Sequence, residues 1–233
     1  MKKYIFSFLT LGCAALMFST ANGQTTTRNV SGYTGIECNG PFNVTVKIDG
    51  TESLKMDVDA DMEKDIITEV EHGVLKVELK DGWRNRNNNK RANIYISAKR
   101  LSYLGNGGSG NTVLAAGNVT GEQARIAVSG SGNLKATVNA ESLKIGVSGS
   151  GSADLKGKIN SATIGVSGSG EVNGKQLTAE TVEASISGSG SVDIIANQAV
   201  SARISGSGGL QYTGNAKIVS ERHSGSGRIT KND

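Results

Sequence analysis

The sequence predicts an all-β fold, a single-stranded right-handed parallel β-helix, and three observations carry that reading. A Ser-Gly-Ser-Gly step recurs through the second half at nearly constant spacing, apolar and polar residues alternate on both sides of each step, and the first half alternates in the same way without the step. A repeat of this period is the mark of a solenoid, in which one unit cannot bury its apolar side chains alone and must stack on the next.

Residues 1–23 are set apart from the fold as a predicted signal peptide. Lys2 and Lys3 form a positive start, Ile5 to Phe18 an apolar stretch, and Ala21-Asn22-Gly23 a small-residue cleavage region, so the mature chain is expected to begin at Gln24. An apolar stretch of 14 residues is shorter than the roughly 20 that span a bilayer as a helix. Leu11-Gly12-Cys13 superficially resembles a lipid-attachment site, but Thr10 stands where a leucine is expected three residues before the cysteine. Export by the signal peptide is the expectation, to the periplasm, the outer cell surface or the medium, with no transmembrane segment in the mature chain. The remainder, 24–233, is read as one domain: irregular N-terminal rungs over 24–106 and repeat rungs over 107–233. Formal net charge is +4, two units of which leave with Lys2 and Lys3, and so small a balance argues against nucleic acid as a partner. Cys38 is then the only cysteine of the mature chain, which rules out an intramolecular disulfide and leaves stability to packing.

The first half reads as strands. Phe42 to Ile48, Leu54 to Val58 and Val74 to Leu79 alternate with a period of two, and Ile94-Tyr95-Ile96 resumes the pattern after a polar stretch from Asp81 to Asn93. One helical turn is expected between Ala60 and Val70, with Asp61 as cap and Met62, Ile66, Ile67 and Val70 on one side.

In the second half the steps begin at residues 107, 129, 148, 167, 187, 205 and 224. The residue before each step from the second onward is Val128, Val147, Val166, Ile186, Ile204 and finally His223. Two residues earlier stand Ile126, Ile145, Ile164, Ala184, Ala202 and Glu221, and shortly after the step come Leu134, Ala153, Val172, Val192, Leu210 and Ile229. This is strand alternation, not the 3.6-residue stripe of a helix. Counted straight through the step, both glycines fall on the inner side and both serines on the outer. The glycines serve either close approach of neighbouring walls or a corner with positive φ, and the sequence does not separate the two. A coil of about 19 residues at roughly 3.3 Å each has a perimeter near 60 Å, and seven coils at about 4.8 Å stack to roughly 34 Å. Glu221 and His223, where earlier rungs carry Ile or Val, read as a polar cap on the end of the stack.

Several stretches resemble a known family. Arg28-Asn29-Val30, Tyr33-Thr34-Gly35-Ile36, Gly40-Pro41-Phe42-Asn43-Val44 and Glu69-Val70-Glu71-His72-Gly73-Val74-Leu75, with Ile94-Tyr95-Ile96, Leu101-Ser102-Tyr103-Leu104 and the Gly-Ser-Gly steps, resemble the putative auto-transporter adhesin, head GIN domain proteins of Gram-negative bacteria. The resemblance implies a single-stranded right-handed β-helix and carries over no catalytic residues. It departs from a true autotransporter in having no C-terminal translocator barrel, so export is expected to rest on the signal peptide.

The functional expectation is a non-enzymatic structural or adhesive cell-envelope protein acting through its β-helix surface on a cell-surface or extracellular glycan or protein. The best binding candidate is the segment Trp83-Arg84-Asn85-Arg86-Asn87-Asn88-Asn89-Lys90-Arg91, which sets the only tryptophan beside four cations and four asparagines. Trp83, Arg84, Arg86, Lys90 and Arg91 together suit a sugar ring or anionic polysaccharide through stacking and hydrogen bonding, against the blander reading of a solvated loop between strands. A glycan-binding module built on this loop is the alternative function; a β-helical polysaccharide-active enzyme is a further one, though it would need an acidic calcium cluster beside a basic residue. The outward Ser-x-Ser ladder is read mainly as structure, with pairing between molecules left open. Asp154 and Asp193 occur in only two rungs, which argues against a calcium array. Cys38 reads as a buried hydrophobe, His72-Gly73 as a turn, and a Glu221/His223 metal or acid-base site lacks a third ligand. No catalytic residue, metal or cofactor is assigned.

Overall fold

The computed structural model describes residues 25–80, Gly82 and 92–232. The predicted signal peptide lies outside the described residues. Strands dominate: β1 (Thr25–Arg28), β2 (Gly35–Asn39), β3 (Asn43–Ile48), β4 (Ser53–Val58), then a single helical turn α1 (Ala60–Glu63), followed by β5 (Ile66–Glu71), β6 (Val74–Leu79), β7 (Ala92–Ala98), β8 (Tyr103–Asn106) and β9 (Asn111–Ala116). The long strands β10 (Val119–Gly130), β11 (Asn133–Gly149), β12 (Ser152–Gly168), β13 (Glu171–Gly188) and β14 (Ser191–Gly206) follow, then β15 (Gly209–Thr213), β16 (Lys217–Gly225) and β17 (Arg228–Lys231). No described helix is long and apolar enough to cross a membrane.

The repeat folds as its spacing predicts. β10 to β14 pair in parallel, each with the next, and β14 passes the ladder on to β15 and β16. Ile126, Ile145, Ile164, Ala184 and Ala202 stand in register, as do Val128, Val147, Val166, Ile186 and Ile204. All of these are buried, and the column across the corner formed by Leu134, Ala153, Val172, Val192 and Leu210 is buried as well. Burying a Val, Leu or Ile side chain stabilises by about 1.5–3 kcal/mol, so the stack rests on such columns, Ala124, Leu143, Ala162, Val182 and Val200 forming another. The register shifts between Asp154 and Lys156 where β12 pairs β13, which accommodates the 20-residue spacing from Ser167 to Ser187, and twice between Gly174 and Thr181 where β13 pairs β14, which accommodates the 18-residue spacing from Ser187 to Ser205.

The two glycines of each step do different work, which corrects the expectation that both point inward. The first takes a positive φ, between 102° and 120° in Gly130, Gly149, Gly168, Gly188, Gly206 and Gly225, and it turns the corner at the surface. The second is buried against the rung before it: a Cβ on Gly151 would stand 2.4 Å from the Gly132 carbonyl oxygen and 2.7 Å from Val128 Cγ1. Alternation breaks at the corner because the chain bends there. Straight counting therefore places the second glycine correctly and the first one wrongly.

The first half continues the same solenoid but not in chain order. β2 is flanked in parallel by β6 on one side and β8 on the other, and β3 by β7 and β9. The rung made earliest in the sequence is thus sandwiched between two later ones. Asn39-Gly40-Pro41-Phe42 stands at the corner position, its Gly40 carbonyl accepting from Gly110 N–H at 3.2 Å. Antiparallel strands close this end: β4 pairs β7, β1 pairs β4 and β5 pairs β6. Covering the end in this way removes an open parallel edge. The helical expectation for 60–70 holds only for α1, capped from Asp59 rather than Asp61. Met62 is buried, but Ile66, Ile67 and Val70 belong to β5, because pairing with β6 supplies backbone partners that an isolated turn cannot.

At the other end β16 pairs only with β14, and all nine of its residues are exposed. Glu221 and His223 continue the columns of Ala202 and Ile204 and contact each other. Both side chains are at register positions that earlier rungs fill with Ala, Val or Ile.

Candidate functional site

The wall before the corner is the most regular surface of the molecule. Its outer columns are Arg125, Lys144, Thr163, Glu183 and Ser201; then Ala127, Gly146, Gly165, Ser185 and Arg203; then the serine ladder Ser129, Ser148, Ser167, Ser187 and Ser205. In-register parallel strands hold these columns straight along the solenoid axis. The serines are exposed, and around the corner Ser226 Oγ donates to Ser207 Oγ at 3.2 Å.

Past the corner runs a hydrogen-bonded polar column that sequence reasoning passed over. Asn111 Nδ2 donates to Asn43 Oδ1 at 3.3 Å, Asn133 Nδ2 to Asn111 Oδ1 at 2.9 Å, and Ser152 Oγ to Asn133 Oδ1 at 2.7 Å. The signal was available, because Asn or Ser follows the step directly in several rungs. Just inside it, buried Asn106 Nδ2 donates to the Gly110 and Asn133 carbonyls at 2.8 and 3.1 Å, which ties down the first corner.

A second missed cluster closes the N-terminal end of the serine wall. Tyr103 Oη donates to Glu37 Oε2 at 2.8 Å, Asn39 Nδ2 donates to Glu37 Oε1 at 3.3 Å, and the Arg125 guanidinium lies 5.3 Å above the Tyr103 ring. Burial, followed by the hydrogen bond to Glu37, pushes the Tyr103 phenol well above its usual range, so it stays a neutral donor. The side chains come from rungs far apart in sequence, and no motif links them.

Trp83, Arg84, Arg86, Lys90 and Arg91 all lie outside the described residues. The strands on either side of that segment, β6 and β7, stack on β2 and β3, the strands joined by the Gly40 corner. His72 and Gly73 form the two-residue turn of the β5/β6 hairpin with φ of 50° and 77°, as a primed hairpin turn requires. Cys38 is 1% exposed, and burial pushes its thiol up to about 12. Asp154 pairs with Lys135 at 2.9 Å. Among the described residues no three His, Cys, Asp or Glu side chains gather as a metal site would require.

The comparisons with known proteins agree with this architecture. A putative adhesin from Bacteroides fragilis superposes with a TM-score of 0.80 at 23% identity over 90% of this chain and 96% of its own. A putative lipid binding protein from Parabacteroides distasonis gives 0.69 at 25% identity over 92% and 98%, and a putative adhesin from the same species gives 0.66 at 20% over 91% and 98%. No curated protein matches. The family described as putative auto-transporter adhesin, head GIN domain, an adhesin family and not an enzyme family by that description, matches residues 32–216, nearly the whole solenoid, and the chain belongs to it.

Proposed function

We propose that the chain is an exported, non-enzymatic structural or adhesive module of the cell envelope, acting through the outer surface of a rigid solenoid. The observation that carries this reading is the wall of in-register columns from β8 to β16. It offers an extended surface repeating at about 4.8 Å, suited to contacting a large partner at many points at once. Repetition of weak contacts along a stiff scaffold yields firm attachment without any single deep pocket. Protease shaving of intact cells tests the reading together with a deletion strain scored for attachment. Loss of the protein on shaving and weaker attachment of the deletion strain are expected; full protection of the protein, or unchanged attachment, would overturn the adhesive role.

The alternative is recognition of a glycan through Trp83, Arg84, Arg86, Lys90 and Arg91. Its support is compositional: one tryptophan stands beside four cations and four asparagines. On a glycan array, binding that is lost in Trp83→Ala would favour this reading, and binding unaffected by the substitution would remove it.

A further inference from the structure

We propose that the serine-glycine wall is a self-association surface, on which a second copy packs face to face with its solenoid axis reversed, about a two-fold axis running along β12. The inference goes beyond the proposed adhesive role and does not depend on it.

Two glycines first draw attention to this wall. A Cβ on Gly146 would meet nothing within 4 Å, and one on Gly165 would meet only the Ile145 carbonyl oxygen at 4.0 Å. Neither residue has a positive φ. Glycine inside a strand is disfavoured; where it marks neither a bulge nor a bend, it often marks a place that another backbone or a ligand approaches closely. Among the described residues nothing comes close here, whereas a flat partner would.

The charges on the wall decide which partner fits. With the axis on β12, the seven strands β8, β10, β11, β12, β13, β14 and β16 are covered, while β2 and β6, which continue the sheet beyond β8, lie outside the contact. Reversal about β12 sets β11 opposite β13 of the copy. Lys144 then faces Glu183, and by symmetry Glu183 faces Lys144; both are exposed, and among the described residues neither has an ion-pair partner in its own chain. Gly146 faces Ser185, while Thr163, Gly165 and Ser167 face their own equivalents. Farther out, Arg125 faces Ser201, and Arg203 faces the small Ala127. Arg222 faces Gly105, over which Glu37 is folded, its Cγ 3.3 Å from where a Gly105 Cβ would be. Packing with parallel axes about a two-fold along the Lys144–Glu183 column would instead set Lys144 against Lys144 and Glu183 against Glu183.

The area is sufficient. A wall about 26 Å wide and about 34 Å long offers roughly 850 Å² from each copy, about 1,700 Å² in all, within the range of specific interfaces.

Sedimentation velocity on the mature chain over a wide concentration series tests the proposal with Lys144→Glu, Glu183→Lys, the double variant and an equimolar mixture of the two single variants. All positions are exposed, and thermal melts verify that each variant remains folded. The wild type is expected to dimerise, and each single variant to do so at least tenfold more weakly, because like charges then face each other. The double variant regains the dimer, and the mixture of singles forms a heterodimer with both pairs restored. A wild type that stays monomeric overturns the proposal. So do single variants that dimerise as the wild type does, or a double variant and mixture no better than the singles.

Discussion

The Gly151 N–H donates to the Gly130 carbonyl oxygen at 2.9 Å, across two successive corners of the solenoid. Ser150 N–H donates to the same oxygen at 2.9 Å, and the equivalent serines repeat that bond at the next corners, Ser169 N–H to Gly149 and Ser189 N–H to Gly168, each at 2.9 Å. Corner stacks on corner through backbone, and the backbone can come this close only because neither glycine of the step carries a Cβ.

One rung therefore holds three glycines, two that cannot accept a Cβ without cost and one that can. Gly151→Ala is expected to cost about 1–3 kcal/mol through overpacking against Gly132 and Val128. Gly149→Ala is expected to cost about 1–3 kcal/mol because φ is +102° and the Gly130 oxygen lies 2.5 Å from the new methyl. Gly146→Ala should gain about 0.5–1 kcal/mol, since the site is open and the backbone extended. Thermal melts at low concentration read all three, and a loss of stability in Gly146→Ala equal to the others would contradict the assignment.

Thr112 lies in a buried column with Val44 and Leu134, and its Oγ1 is the one buried side-chain polar atom without a partner among the described residues. An unsatisfied hydroxyl costs about 1–3 kcal/mol. Thr112→Val, which keeps the shape and removes the hydroxyl, should raise stability by about 1 kcal/mol in a denaturant titration. Destabilisation would mean that the hydroxyl has a partner.

Cys38 couples the fold to alkaline pH. Burial raises the thiol from 9.0 to about 12, so above pH 9 the unfolded chain releases this proton while the folded chain retains it. The unfolded state then binds fewer protons, and stability falls by about 1.4 kcal/mol per pH unit for this group between pH 9 and 12. Tyr33, raised from 10.0 to about 12 first by burial and then by the Glu52 charge, adds a loss above pH 10. Thermal melts from pH 7 to 11 should show the decline, and Cys38→Ala should flatten the part that begins near 9. In the native state at neutral pH the thiol should resist alkylation; rapid labelling without unfolding would count against its burial.

A capping role for the terminal rung predicts that removing its polar side chains lets the stack grow. Glu221→Ile with His223→Val would extend the apolar columns of Ala202 and Ile204 to an open strand edge. Light scattering should show assembly well beyond a dimer in the double variant and not in the wild type. Equal behaviour of the two would remove the capping role.

Most of the second half was legible because the repeat reports the same local environment several times over: Ile126, Ile145 and Ile164 each announce one column. The corner was only half legible. A count of alternate residues assumes a straight strand, and the bend at Gly149 shifts the count just where the two glycines differ. Around 60–70 the apolar spacing of Met62, Ile66 and Val70 suits a helix as well as a strand, and only the pairing of β5 with β6 decided it. The Glu37–Tyr103 bond joins residues 66 apart in sequence, and it depends on β2 sitting beside β8, an order that chain sequence does not announce. The Trp83 segment was singled out by composition and lies outside the described residues.

Disulfide capture across the serine ladder tests the stacked register most directly. Ser148 and Ser167 are in-register neighbours on β11 and β12, about 4.8 Å apart between parallel strands and within disulfide reach, whereas Ser148 and Ser187 are two rungs apart. In a Cys38→Ala background, mild oxidation of Ser148→Cys/Ser167→Cys should give an intramolecular crosslink in high yield, seen as a faster-migrating monomer on a non-reducing gel. Ser148→Cys/Ser187→Cys should give no such monomer band. Failure of the first pair to close, or equal closure of the second, would contradict a solenoid that advances one rung for each step.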